Sequence, residues 1–291
     1  MISLCDVGPR DGFQYEEKLI PTDLKRDVIE GLVAAGLRCI QVTSFVHPKW
    51  VPQMADAEAL VARLPHHEGV VYTGLALNLR GVERAIAAGL TQVELSIATN
   101  ETHSRDNANM TVAEGVAQAE AMIALALAHG LQVQLGFQTV FGYAAPGDTP
   151  LEKIEAMAAR FADGGLESFS LADTTGMANP VMIKERVRAL QAVVGDVPVV
   201  LHLHDTRGLG LANVVAGLEC GITRFDTSLG GLGGCPFIPN ATGNIPTEDT
   251  AYLLDQMGFE TGIDINKVAE VTRKMATFLG RDFTGKLYRL V

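Results

Sequence analysis

Short apolar runs alternate along this chain with longer stretches in which apolar residues recur every three or four positions. The first pattern is that of buried strands, the second that of amphipathic helices. Residues 2–7 predict a first strand, closed by Gly8-Pro9, and residues 22–35 a helix that ends at Gly36. The pair then repeats. Strands are expected at 37–42, 70–76, 92–97, 131–137, 168–171, 197–204 and 222–227, followed in turn by helices at 53–63, 79–88, 112–129, 151–162, 180–194, 211–219 and 247–257. A further helix is expected at 265–279. Glycine stands at several helix ends, where left-handed backbone lets terminal carbonyls be satisfied.

Strands that alternate with helices pair in parallel through right-handed crossovers, and eight such units close into an α/β (β/α)8 TIM barrel. An open doubly wound sheet usually has fewer units and a GxGxxG turn after its first strand. Here that turn reads GPRDG. The expected organisation is one barrel domain over residues 1–291, with a C-terminal helical extension from about residue 262.

Composition narrows the setting. With 291 residues, 47% hydrophobic and 20% charged, the chain can bury one large core. A formal charge of -11 argues against nonspecific binding to nucleic acid or to an anionic membrane, without excluding an anionic substrate held by a local arginine or metal. Cys5, Cys39, Cys220 and Cys235 are irregularly spaced with no CxxC pair. Reduced thiols in a cytoplasmic protein are expected, not a disulfide framework or zinc knuckle. The first residues lack a signal peptide's pattern, and no apolar stretch approaches the roughly 18 residues of a membrane helix.

Barrels of this kind carry their chemistry in the loops that follow the strands. Arg10 and Asp11 follow the first strand. His202 and His204 end the seventh, and their spacing of two puts both imidazoles on one side. Asp205 points the other way and suits a helix cap. Closure makes strands seven, eight and one consecutive, so Asp11 and the histidines meet the loop after strand eight. That loop, SLGGLGGCPFIPNATGN over 228–244, holds four glycines that favour mobility, then Cys235, and ends at Asn244. Asp, two His and Asn form an oxygen and nitrogen ligand set without thiolate, suited to Mg²⁺ or Mn²⁺. About two positions of an octahedron would stay open for substrate.

VGPRDGFQ, TSFVHPKWVPQM, HLHDTRGLGLAN and GLGGCPFIPNATGN together resemble the 3-hydroxy-3-methylglutaryl-CoA lyase family, among the DRE-TIM metallolyases. The likeness runs from about Val7 to the helix after Asn244. It implies cleavage of an acyl-CoA substrate, 3-hydroxy-3-methylglutaryl-CoA, to acetyl-CoA and acetoacetate, as in leucine degradation. It also implies Asp11, His202, His204 and Asn244 as metal ligands and Arg10 as the catalytic arginine. Either His202 or Asp11 would take the hydroxyl proton, and Cys235 would protonate the departing acetyl-CoA carbanion. A homo-oligomer, dimer or higher, is the expected assembly.

Three positions depart from that family's pattern. Gln41 stands where a glutamate is typical, Asp6 where Glu is usual, and FQTVFGYAAPGD after strand five lacks the usual cysteine and acidic pattern. Gln keeps the hydrogen bonding of Glu and loses its charge. A related 3-hydroxyacyl-CoA such as citramalyl-CoA is therefore the alternative substrate, and a non-catalytic acyl-CoA or metal-binding barrel the second alternative. Asp173, in LADTTG, either supports the site or caps a helix.

Overall fold

The computed structural model describes residues 2–234 and 242–291. Eight parallel strands close into a barrel: β1 (Ser3–Asp6), β2 (Cys39–Ser44), β3 (Val71–Ala76), β4 (Gln92–Ala98), β5 (Gln132–Gln138), β6 (Ser168–Ala172), β7 (Val199–His202) and β8 (Arg224–Thr227). β8 pairs with β1 from Arg224 opposite Ser3 to Thr227 opposite Asp6, which completes the ring.

The strands hold because each has two different faces. Outward residues such as Leu201 and Phe225 pack under the surrounding helices; a Cβ at Gly217 would lie 2.6 Å from one and 3.2 Å from the other. Inward residues are unusually polar. Gln41 on β2 bonds Glu94 on β4, two strands that are not neighbours, so the contact crosses the barrel interior.

Helices begin and end where local chemistry dictates. Asn78 caps the helix Leu79–Ala88 by accepting from the Gly81 N–H, and Gly89 ends it with φ +84°. Thr111 and Glu114 form a reciprocal capping box at the start of Val112–Ala128. The last helix, Ile265–Leu279, buries Val268, Ala269, Thr272 and Met275. It lies so close to the first helix, Thr22–Ala34, that a Cβ at Gly31 would meet Val271 at 2.6 Å.

Four details differ from the expectations. A helix at Glu101–Ala108 precedes the long one, capped by Asn100, in a stretch too polar to show an apolar stripe. The expected helix over 53–63 divides into a 3-10 turn at Pro52–Met54 and a short helix at Ala57–Val61. Gln53 is diverted there to bond the Glu16 and Lys18 carbonyls. The seventh strand stops at His202, leaving His204 in an isolated bridge with Asn244. Finally, Cys5 and Cys39 are joined in a disulfide, against the expectation of unpaired thiols. They stand opposite one another on β1 and β2 with Cα atoms 4.5 Å apart, a proximity set by strand register and invisible in their spacing.

Among the described residues no single helix is long and apolar enough to cross a membrane.

Candidate active site

Arg10 and Asp11 lie in one tight π-helical turn, Gly8–Gly12, that follows β1. Two small residues let this turn sit against the start of the loop after β8. A Cβ at Gly8 would approach Leu229 to 2.3 Å, and one at Gly12 would approach Leu232 to 2.7 Å. Asp6 braces the turn from below, accepting from the Gly8 N–H at 2.9 Å and from the Thr247 hydroxyl at 2.7 Å. Burial pushes the Asp6 carboxyl up to about 7, against the lowering effect of those two bonds.

The predicted ligands converge. One ligand atom from each of Asp11, His202 and His204 falls within 4.8 Å of the others. Asn244 joins them by donating from Nδ2 to Asp11 Oδ2 at 2.7 Å and to the Leu232 carbonyl at 3.1 Å. Its Oδ1 is buried and has no hydrogen-bond partner among the described residues, and neither ring nitrogen of His204 has one of good geometry. Buried acceptors without partners are rare, because leaving one unmade costs the full desolvation of the group. Asn244 Oδ1 and the one acceptor nitrogen of a neutral His204, beside the Asp11 carboxylate, fit a divalent cation, and the mixed oxygen and nitrogen donors suit Mg²⁺ or Mn²⁺.

The charges support that fit. Burial opposes ionisation of Asp11, but Arg10, His202 and His204 outweigh it and hold the carboxyl below its ordinary value. Burial and the charge of His202 push His204 down to about 4, even though Asp11 and the nearby Thr174 backbone favour its protonated form. A neutral imidazole results, the form that binds metal. For His202, burial again disfavours the charged ring. Asp226 on β8, whose Oδ2 lies 3.1 Å from Nδ1, outweighs it together with Asp11 and Glu94 and raises the pKa. With Nδ1 engaged by this carboxylate, Nε2 is the nitrogen that would remain to bind a cation, the arrangement that orients most metal-bound histidines.

Arg10 is buried beside this cluster. Its Nη1 donates to Asp11 and its Nε to the amide oxygen of Gln41, whose Nε2 donates in turn to Glu94. Arg10, Asp11 and Glu94 border a cavity of about 430 Å³ at the C-terminal end of the barrel. Its walls include Arg10, Asp11, Glu94, His202 and His204, together with Tyr15, Trp50, Ser96 and Gln138.

The loop after β8 reaches the cavity at Gly234, which packs against the ring of Tyr15. Its leading end is tied down. Gly230, at φ +60°, donates its N–H to the buried Glu248 at 2.9 Å, and Thr272 of the last helix donates to the same carboxylate. Cys235 and the residues up to 241 lie outside the described residues. Asp205 accepts from the Gly210 N–H at 2.8 Å, at the start of the helix Gly210–Leu218, although the N-cap position itself is Leu209 and not Asp205 as expected. Asp173 does not cap a helix. It accepts from the Met177 and Ala178 N–H groups and braces the loop after β6, while Asn179 caps the helix Pro180–Val194.

Glu94, Asp226 and Glu248 did not stand out in the sequence. Glu94 and Asp226 sit at inward positions of the strands QVELSIA and RFDT, where a single acid among strand residues carries no motif. Their signal is alternation, since each shares its strand's parity with an inward polar neighbour, Ser96 and Arg224.

Fold and site together define a class: a (β/α)8 barrel enzyme with an Asp–His–His metal cluster and a buried arginine at the C-terminal ends of its strands. Comparison with known proteins narrows the class. The family model described as HMGL-like matches residues 1–275. Hydroxymethylglutaryl-CoA lyase YngG of Bacillus subtilis is 37% identical over 280 residues, covering 96% of this chain and 94% of the relative. The cytoplasmic 3-hydroxy-3-methylglutaryl-CoA lyase of Rattus norvegicus is 36% identical, covering 92% of this chain and 78% of the relative. The crystal structure of the Bacillus subtilis HMG-CoA lyase superposes with a TM-score of 0.95 at 36% identity, over 99% of this chain and 97% of that one. An HMG-CoA lyase from Acinetobacter baumannii, solved with coenzyme A and 3-methylmalate, gives 0.93 at 35% identity, over 99% and 94%. The chain belongs to the HMGL-like family.

Proposed function

We propose that this chain is a divalent-metal-dependent carbon–carbon lyase that cleaves 3-hydroxy-3-methylglutaryl-CoA to acetyl-CoA and acetoacetate. The observation that carries the reading is the convergence of Asp11, His202 and His204 beside Arg10 in one cavity, with Asn244 hydrogen-bonded to Asp11. The names of its relatives supply the substrate.

Asp11, His202, His204 and Asn244 would hold Mg²⁺ or Mn²⁺. When bound, such an ion supplies Lewis-acid polarisation of substrate oxygens. Cleavage breaks the C2–C3 bond, leaving its electron pair on C2 while the C3 hydroxyl becomes a ketone and gives up its proton. Either His202 or Asp11 accepts that proton, and Asp226 steadies the His202 ring. Arg10 stabilises charge on the thioester oxygen as the enolate forms. Cys235 then protonates C2, giving acetyl-CoA.

A related 3-hydroxyacyl-CoA is the second reading. Gln41 in place of a carboxylate and the polar cavity wall of Ser96 and Gln138 favour it. The decisive assay offers metal-loaded protein a panel of 3-hydroxyacyl-CoAs, including 3-hydroxy-3-methylglutaryl-CoA and citramalyl-CoA, and identifies both products. Acetyl-CoA with acetoacetate from the first is the expected result. Preferred cleavage of another member would shift the substrate, and no cleavage of any would end the lyase reading.

A further inference from the structure

Arg10 has two side-chain partners among the described residues, and only one of them, Asp11, carries a charge. Asp11 also faces the two histidines and Asn244, so its charge is shared with the ligand cluster. The other partner, the amide of Gln41, offers Arg10 a hydrogen bond and no counter-charge. A buried guanidinium so held needs more negative charge close by.

A carboxyl group lies on the far side of the amide; burial pushes its pKa up, while the charge of Arg10 and the Gln41 bond favour its ionised form. Gln41 Nε2 donates to Glu94 Oε2, so a continuous chain runs from Arg10 through Gln41 to a carboxylate on β4. The order of the chain is forced. An amide can turn its oxygen to Arg10 only when its NH₂ faces an acceptor, and Glu94 supplies one. The neighbouring strand is built to seat this carboxylate. On β5, Gly136 has an ordinary backbone conformation that any residue could adopt, yet a Cβ there would lie 2.9 Å from Glu94 Oε1. Glycine at 136 is explained by the room it leaves.

We propose that Glu94 is a positioning residue for the lyase reaction, orienting Arg10 through the amide of Gln41. The carboxylate that the family resemblance places at position 41 is here relocated across the barrel interior to β4. The inference rests on the proposed lyase activity and deepens it.

The test is an exchange. Glu94→Gln should lower kcat by about 10- to 100-fold, the loss of one charge-assisted hydrogen bond. Its Mn²⁺ affinity should change less than its kcat, because Glu94 bonds none of the candidate ligands and acts on His202 only through its charge, and its melting temperature should stay near that of the parent protein. Combining Glu94→Gln with Gln41→Glu returns the carboxylate to β2 and should restore most of the lost turnover. In an Arg10→Lys background, Glu94→Gln should cost little more, since its effect passes through Arg10. Gly136→Ala, which pushes the carboxylate from its seat, should reproduce the loss and serves if Glu94→Gln does not fold. Parent-level kcat in folded Glu94→Gln or Gly136→Ala protein would overturn the proposal. So would independent, multiplying effects of the Arg10 and Glu94 changes, or an exchanged double variant no better than the single one. Failure of the lyase reading itself would look different: the parent protein would cleave no acyl-CoA.

Discussion

Asp226 is where the metal site can be weakened without touching a ligand. Its carboxylate is 2% exposed and lies 3.1 Å from His202 Nδ1, the nitrogen turned away from the cluster. Replacing it with alanine removes a charge-assisted hydrogen bond of about 1.5–3 kcal/mol and frees the ring to rotate or change tautomer. Loss of such an outer partner typically lowers metal affinity about 10- to 100-fold, or roughly 1.4–2.7 kcal/mol, so the two estimates agree. Asp226→Asn keeps an acceptor for the Nδ1 proton and loses only charge, so its effect should be the smaller. The assay is a titration with Mn²⁺ followed by paramagnetic resonance or calorimetry on protein whose folding is checked by circular dichroism. A folded Asp226→Ala protein that binds Mn²⁺ with parent affinity would refute the claim that His202 is held for metal binding by this carboxylate.

Three further outcomes follow from the same structure. Cys235→Ser should cut turnover by about 10²- to 10⁴-fold, the usual contribution of a positioned acid, while Mn²⁺ affinity is unchanged; unaltered turnover would remove Cys235 from the mechanism. Asp6, with its carboxyl raised to about 7, holds its proton in the folded chain at pH values where the unfolded chain has lost it. Stability from this group is therefore fully present below pH 4 and declines as pH rises to about 7, by roughly 4 kcal/mol. Asp6→Asn, which can keep both hydrogen bonds, should match the parent in urea near pH 4 and exceed it at pH 8; identical pH slopes would contradict this. The Cys5–Cys39 disulfide closes a loop of sequence separation 34, so reducing it should cost about 4 kcal/mol of stability by loop entropy. Equal urea midpoints with and without reductant would count against that link.

The barrel was legible because its cause is local. Each strand buries an apolar outer face and each helix an apolar stripe, and that repeats eight times with capping residues and glycines between. The candidate ligands were legible for a related reason: Asp11, His202 and His204 stand at or just past the ends of neighbouring strands, and closure brings Asn244 to them. What escaped depends on register and on the interior. Cys5 faces Cys39, and Gln41 reaches Glu94, only once strands are aligned to the residue, which an apolar pattern does not specify. The helix Glu101–Ala108 escaped because it is polar almost all round, leaving the Asn100 cap as its one sequence signal. Gln41 reads in the sequence as a lost charge. In the folded chain it is the middle of a chain that ends on a carboxylate.

The central claim is that one divalent cation, held by Asp11, His202, His204 and Asn244, makes this barrel a lyase. Chelated protein titrated with Mn²⁺, while acetyl-CoA release from 3-hydroxy-3-methylglutaryl-CoA is followed, tests it most directly. The expected result is no release without metal, activity that grows to saturation at one ion per chain, and neither tight binding nor activity in His204→Ala. Full turnover by the chelated protein, or parent-level metal activation of His204→Ala, would contradict it.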